Sequence, residues 1–156
     1  MRVSTRVVIV LAIIASLFSF AKFSQCQSTV WAGPHQYIHA CYSDLPALFS
    51  ERSFGKGEWV FSGGDQAAEY PALQGLVMWA TAKISPDGPV SYFNLSAILL
   101  ALLFIASAYL VYRIKPEVAI VYALAPTGVL ALFINWDLWA IVTTLLAIYW
   151  FDRKQE

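Results

Sequence analysis

Charge is what this sequence has least of. Asp, Glu, Lys and Arg together make up 13% of its 156 residues, about half the share usual in a soluble domain. Ten acids and ten bases cancel to a formal net charge of zero, so no bulk field marks out a partner. No basic run or stacking patch is present, which excludes the footprint of a nucleic-acid binder. Cys and His are scarce as well, with two of each. His35 and His39 lie four apart, but Pro34 and the lack of a clear third ligand argue against a metal site, and no cofactor is expected. No acid or base falls in the middle of a long apolar run, where a proton or ion relay would need one.

What fills the space is apolar. Hydrophobic residues reach 59% and aromatics 15%, and the mean hydropathy is +0.61. That excess has to face lipid rather than line a water-bounded core. The expected fold class is therefore an all-α membrane protein.

The first apolar run, Val7 to Ala21, follows Arg2 and Arg6. Lys22, Phe23 and Gln25 stand where a signal peptidase wants small residues, so the run reads as an uncleaved signal anchor. Phe23-Ser24-Gln25-Cys26 is likewise a poor lipoprotein box. Three more runs follow: Phe93–Tyr112, Val118–Ile134 and Leu138–Phe151. Each approaches the length that crosses about 30 Å of hydrocarbon, the last only marginally. Trp136 and Trp139 at one end and Tyr149 and Trp150 at the other would extend it as interfacial anchors. The expected organisation is a first transmembrane helix over 1–24, an external loop over 25–91, three transmembrane helices over 92–151 and a tail over 152–156.

Arg2/Arg6, Arg113/Lys115 and Arg153/Lys154 fall on one face if there are four spans with residues 25–91 outside. By the positive-inside rule both termini are then cytoplasmic. The apolar stretch Tyr70–Ile84, interrupted by Gln74 and Gly75 and ended by Lys83, would break that pattern if it spanned; it suits an interfacial helix over 70–84. Within the third run, Pro126 is expected to kink a closely packed helix of small residues.

The external loop carries the chemistry. It holds both Cys residues, both His residues and six of the ten acids. Cys26 and Cys41, an even pair outside the cytoplasm, are a disulfide candidate; the bond would close about 15 residues, worth about 3 kcal/mol by chain entropy. Two buried free thiols are the alternative. Ser43 or Asp44, followed by Pro46 and Ala47-Leu48-Phe49, marks a helix start. Asp44 is then either an N-cap or a carboxylate held above the membrane to take a proton from an acceptor hydroxyl. Glu69, Tyr70 and Asp137 fall on the same external side as candidate acceptor or cavity-lining residues, where Asp137 also reads as a cap for the last helix.

The order Trp31, Pro34-His35-Gln36-Tyr37, Cys41-Tyr42-Ser43-Asp44-Leu45-Pro46, Glu69-Tyr70-Pro71, Gly75 and Asn135-Trp136-Asp137 resembles a bacterial family of multi-spanning mannosyltransferases. That family belongs to the GT-C class of integral-membrane glycosyltransferases and uses polyprenyl-phosphate-mannose. The resemblance covers nearly the whole chain and implies a GT-C-like N-terminal part, with Asp44 as the catalytic base. It further implies Glu69 and Tyr70 lining the acceptor side of a cavity, and a glycolipid or glycan acceptor in the envelope. Family members are much longer, and the later spans that help bind the donor have no counterpart here. The resemblance thus implies a piece not active alone, either one product of a split gene that works with a separately encoded C-terminal half or a truncated remnant. A non-catalytic membrane subunit or envelope assembly protein is the alternative.

Overall fold

The computed structural model describes residues 4–62, 67, 69–85 and 87–154. Arg2, from the first basic cluster, and Gln155 and Glu156, from the tail, lie outside them. The helices are α1 Thr5–Ser24, α2 His35–Ile38, α3 Asp44–Glu51, α4 Ala72–Lys83, α5 Pro89–Ile114, α6 Ala119–Leu124, α7 Pro126–Ala131 and α8 Leu138–Arg153. Among the described residues there is no strand.

Two segments, Thr5–Thr29 and Pro89–Ile114, are long and apolar enough to cross a bilayer. At 1.5 Å per residue, α1 with 20 residues and α5 with 26 reach about 30 and 39 Å. The third expected span is interrupted. Ala125 takes an extended ψ of 121° between α6 and α7, where the kink was expected. Pro126 is the cause: its ring disfavours the helical region for the residue before it and it has no N–H to donate. Each half runs only six residues, about 9 Å. The last expected span, α8, has 16 residues, about 24 Å. At 12 residues, or about 18 Å, α4 cannot span.

The chain divides into two compact units, the first comprising Met1–Ala21, Leu99–Leu132 and Asp137–Glu156. In it, α1 buries Val8, Ala12, Ala15, Ser16 and Ser19, a spacing that keeps them on one helix face. Small side chains there allow close backbone approach, and the Ser16 hydroxyl donates to the Ala12 carbonyl at 2.8 Å. The other side of α1 leaves Val10, Leu17 and Phe18 exposed, as α8 leaves Trp150 and Phe151. Such contiguous apolar surface suits lipid rather than water. Where α5 meets α6, Tyr122 donates to Ser107 at 2.8 Å and stacks on Phe104 at 5.8 Å. The C-terminal ends of α5 and α8 share one end of this unit: Arg113 and Arg153 both lie over the Tyr149 ring, at 5.4 and 5.2 Å.

The second unit comprises Lys22–Ile98 and Phe133–Trp136, and aromatic rings build its interior. Phe93 contacts Trp31 at 4.6 Å, Phe133 at 6.3 Å and Phe23 at 6.4 Å. Tyr92 bridges Phe49 and Trp136, at 5.1 and 6.3 Å. Trp136 is fully buried in this core rather than anchoring an interface. The anchoring expectation failed because the Phe133–Trp136 segment belongs to this unit and is tied to the loop by hydrogen bonds from Ser43 and Asp44. Helix α4 buries Gln74, Met78 and Thr81 and turns Leu73, 80% exposed, and Leu76 outward. Gly75 lets Phe61 pack against it, since a Cβ there would meet the ring at 2.5 Å.

Candidate functional site

Cys26 and Cys41 are joined by a disulfide with their Cα atoms 6.2 Å apart. Both are buried. Between them the backbone turns tightly enough to hold Val30, Trp31 and Ala40 at φ of 52°, 55° and 50°. A β-branched residue and a tryptophan rarely take this left-handed conformation, and it persists only where surrounding contacts over-determine it. Those contacts are present here. The Trp31 indole donates to the Cys41 carbonyl at 2.9 Å, the Trp31 amide donates to the Cys26 carbonyl at 3.1 Å, and the Cys41 amide donates to the Gln36 carbonyl at 2.9 Å.

Directly after the staple, Ser43 starts α3. Its extended backbone (φ −146°, ψ 134°) and its hydroxyl, which accepts from the Leu45 amide at 3.2 Å, make it the N-cap. The same hydroxyl donates to the Phe133 carbonyl at 2.6 Å. Asp44 is therefore the first helical residue and not the cap. Its amide donates to the Ile134 carbonyl at 2.7 Å, and its carboxylate accepts a 2.6 Å hydrogen bond from the Tyr42 hydroxyl. That bond, with burial and the neighbouring charges second, pushes the Tyr42 phenol up to about 12.

Tyr42 stacks on Tyr37 with ring centroids 5.7 Å apart. Together with Trp31, Gln36, Ser50 and Glu51 they line an open cleft of about 190 Å³. Val30, Pro46 and Ala47 complete its walls. Asp44 stands one hydrogen bond behind this lining, through Tyr42.

The other expected site residues are placed elsewhere. Glu69 is 84% exposed and ion-paired with Arg52 at 3.3 Å, and neither it nor Tyr70 lines the cleft. Asp137 belongs to the first unit and occupies the N-cap position of α8, but its side chain accepts no capping hydrogen bond there. The expected cap is thus positional only, because its own backbone is helical (φ −63°, ψ −20°) where a capping side chain needs an extended one. His35 and His39 stack at 6.2 Å, and no group of three or more metal-ligating side chains converges among the described residues.

Sequence reasoning missed the Tyr37–Tyr42 pair and the hydrogen bond to Asp44. The signal was a tyrosine two residues before the acid. It becomes readable only once Ser43 is known to do the capping.

No protein-family model, curated protein or solved structure matches this chain.

Proposed function

We propose that this chain is the acceptor-side part of a membrane glycosyltransferase of the GT-C type, with Asp44 as general base. In this reading four apolar segments cross the membrane, both termini are cytoplasmic, and residues 25–91 face outward with α4 lying in the interface. The observation that carries the reading is the division of labour at the start of α3. Ser43 takes the cap, so the Asp44 carboxylate is not consumed by the helix and is held instead by Tyr42. With Oδ1 occupied by the phenol, Oδ2 accepts the proton of a sugar hydroxyl as that oxygen attacks the anomeric carbon of a polyprenyl-phosphate-linked mannose. The bond from the anomeric carbon to the phosphate oxygen breaks, and the lipid phosphate leaves with the electron pair. In this reading the four segments supply the base and the acceptor side, and donor binding is left to a separately encoded C-terminal half where one is present.

A base contributes typically 10²–10⁴-fold. The test is mannose transfer from a polyprenyl-phosphate donor in membranes holding this chain together with any separately encoded C-terminal half. Asp44→Asn should lower transfer at least 100-fold by that measure while leaving the chain folded. Wild-type rates in Asp44→Asn would refute the catalytic role. The topology has its own test in sealed vesicles treated with an impermeant amine reagent. Lys56 and Lys83 should label from the outer side while Lys115 and Lys154 stay protected; outer labelling at Lys115 would sink the four-span arrangement.

A second reading is a non-catalytic membrane subunit. It is favoured by the cleft itself, whose lining excludes the Asp44 carboxylate. Under that reading Asp44→Asn changes stability or complex formation and no transfer step.

A further inference from the structure

We infer that the stapled cleft is a binding site for a small organic ammonium ion, with Tyr37 and Tyr42 as its aromatic wall and Glu51 as its counter-charge. The charge pattern excludes an anionic occupant. No Lys or Arg lines the cleft, one carboxylate does, and a second, Asp44, lies one hydrogen bond behind Tyr42. The hydrogen bond to Asp44 first, with the Glu51 charge a smaller contributor, raises the Tyr42 phenol, in keeping with that negative charge. A cation gains both from that potential and from the faces of electron-rich rings. A neutral sugar would gain hydrogen bonds but not the Coulomb attraction.

Size and exposure agree. At about 190 Å³ the cleft falls below the roughly 300–1,000 Å³ that enclose drug-sized molecules, and matches a single charged head rather than an oligomer. Tyr37 is 68% exposed, and its stacking on Tyr42 keeps it at the cleft. Among the described residues no protein group hydrogen-bonds the side chains of Gln36, Ser50 or Glu51, so these remain available to a ligand's polar atoms. The left-handed backbone at Val30 and Trp31 fixes the back wall, the kind of strain found at ligand clamps. The cleft residues lie in the stretch connecting the end of α1 to the start of α5, the two segments long enough to span, so where those helices cross a bilayer a headgroup is one available source. The ammonium could therefore come from a zwitterionic headgroup or from a soluble amine. Neither source depends on the sugar-transfer reading.

The experiment titrates tetramethylammonium chloride, against sodium chloride at equal ionic strength, into the full chain in nonionic micelles with ring-labelled tyrosine followed by NMR. Saturable shifts at Tyr37 and Tyr42 are expected. Tyr37→Leu should weaken binding about fivefold and Glu51→Gln by about as much again, while Tyr37→Phe keeps it; circular dichroism checks that each variant is folded. Repeating the titration in nanodiscs separates the sources. Phosphatidylethanolamine discs that block the shifts where phosphatidylglycerol discs do not identify a headgroup, and equal binding in both identifies a soluble amine. Binding unchanged in both Tyr37→Leu and Glu51→Gln would overturn the assignment, as would saturation by methyl mannoside with none by tetramethylammonium.

Discussion

Replacing Ser43 with alanine removes the two shortest hydrogen bonds made by one fully buried hydroxyl. The first is the cap to the Leu45 amide at 3.2 Å, the second the bond donated to the Phe133 carbonyl at 2.6 Å. Leu45 is itself 0% exposed, so water cannot reach its orphaned N–H, and a buried unsatisfied donor costs about 1–3 kcal/mol. Losing an ordinary hydrogen bond on the carbonyl side adds about 1 kcal/mol. The sum is about 2–4 kcal/mol, above the ~1 kcal/mol typical of an exposed cap. The assay is reversible unfolding in mixed micelles, followed by the fluorescence of the buried Trp31 and Trp136. Ser43→Gly separates the mechanism from the number. At a solvated cap glycine costs only a few tenths of a kcal/mol, whereas at this buried one it should cost nearly as much as alanine. A loss under about 0.5 kcal/mol for Ser43→Ala, or full recovery in Ser43→Gly, would refute the reasoning. Because the same hydroxyl ties α3 to the Phe133–Trp136 segment, Ser43→Ala should also shift Asp44 out of register, and under the sugar-transfer proposal it should lower transfer with it.

Three further perturbations test other parts of the structure. Folding holds the Tyr42 proton to about 12 against about 10 in an unfolded chain; its contribution to stability is full below pH 10 and is lost as pH rises from about 10 to 12. Phenolate absorbance titration, taken as the difference from Tyr42→Phe, should show this late step, and Asp44→Asn should move it toward 10. Replacing Cys26 and Cys41 together by serine should cost about 3 kcal/mol for a loop of this length. It should also open residues 27–40 to proteolysis as Val30, Trp31 and Ala40 relax; unchanged protease resistance would show that packing alone holds the loop. Pro126→Ala restores an N–H and frees Ala125 from its extended bias, so far-UV circular dichroism should gain roughly one helical turn and hydrogen exchange across 125–130 should slow. No gain would mean that packing, rather than proline, sets the break.

The apolar surplus was legible from residues alone. Composition and the 20-residue scale of a span suffice to place apolar runs at Val7–Ala21 and Phe93–Tyr112, and the helices extend past them to Thr5–Ser24 and Pro89–Ile114. The interruption near Pro126 was legible in place but not in degree. A proline is certain to disturb a helix, yet whether it kinks or ends one depends on what else satisfies the freed backbone. The same holds for a helix start at Ser43 or Asp44. Sequence offered both as caps, and only the tertiary fold chose Ser43, by giving its hydroxyl a buried carbonyl acceptor on a segment 90 residues away.

Trp136 marks the other limit. A tryptophan beside an apolar run reads as an interfacial anchor, but its burial against Tyr92 follows from which segments the chain brings together, and local pattern carries no such information. The ion pair of Glu69 with Arg52 was likewise unreadable from local pattern. What the sequence by itself determined is the apolar surplus and the places of the two long apolar helices, since both depend on side-chain chemistry summed over neighbours. Only the tertiary structure decided which polar groups are spent on architecture and which are left for chemistry, because that depends on hydrogen bonds between residues far apart in the chain.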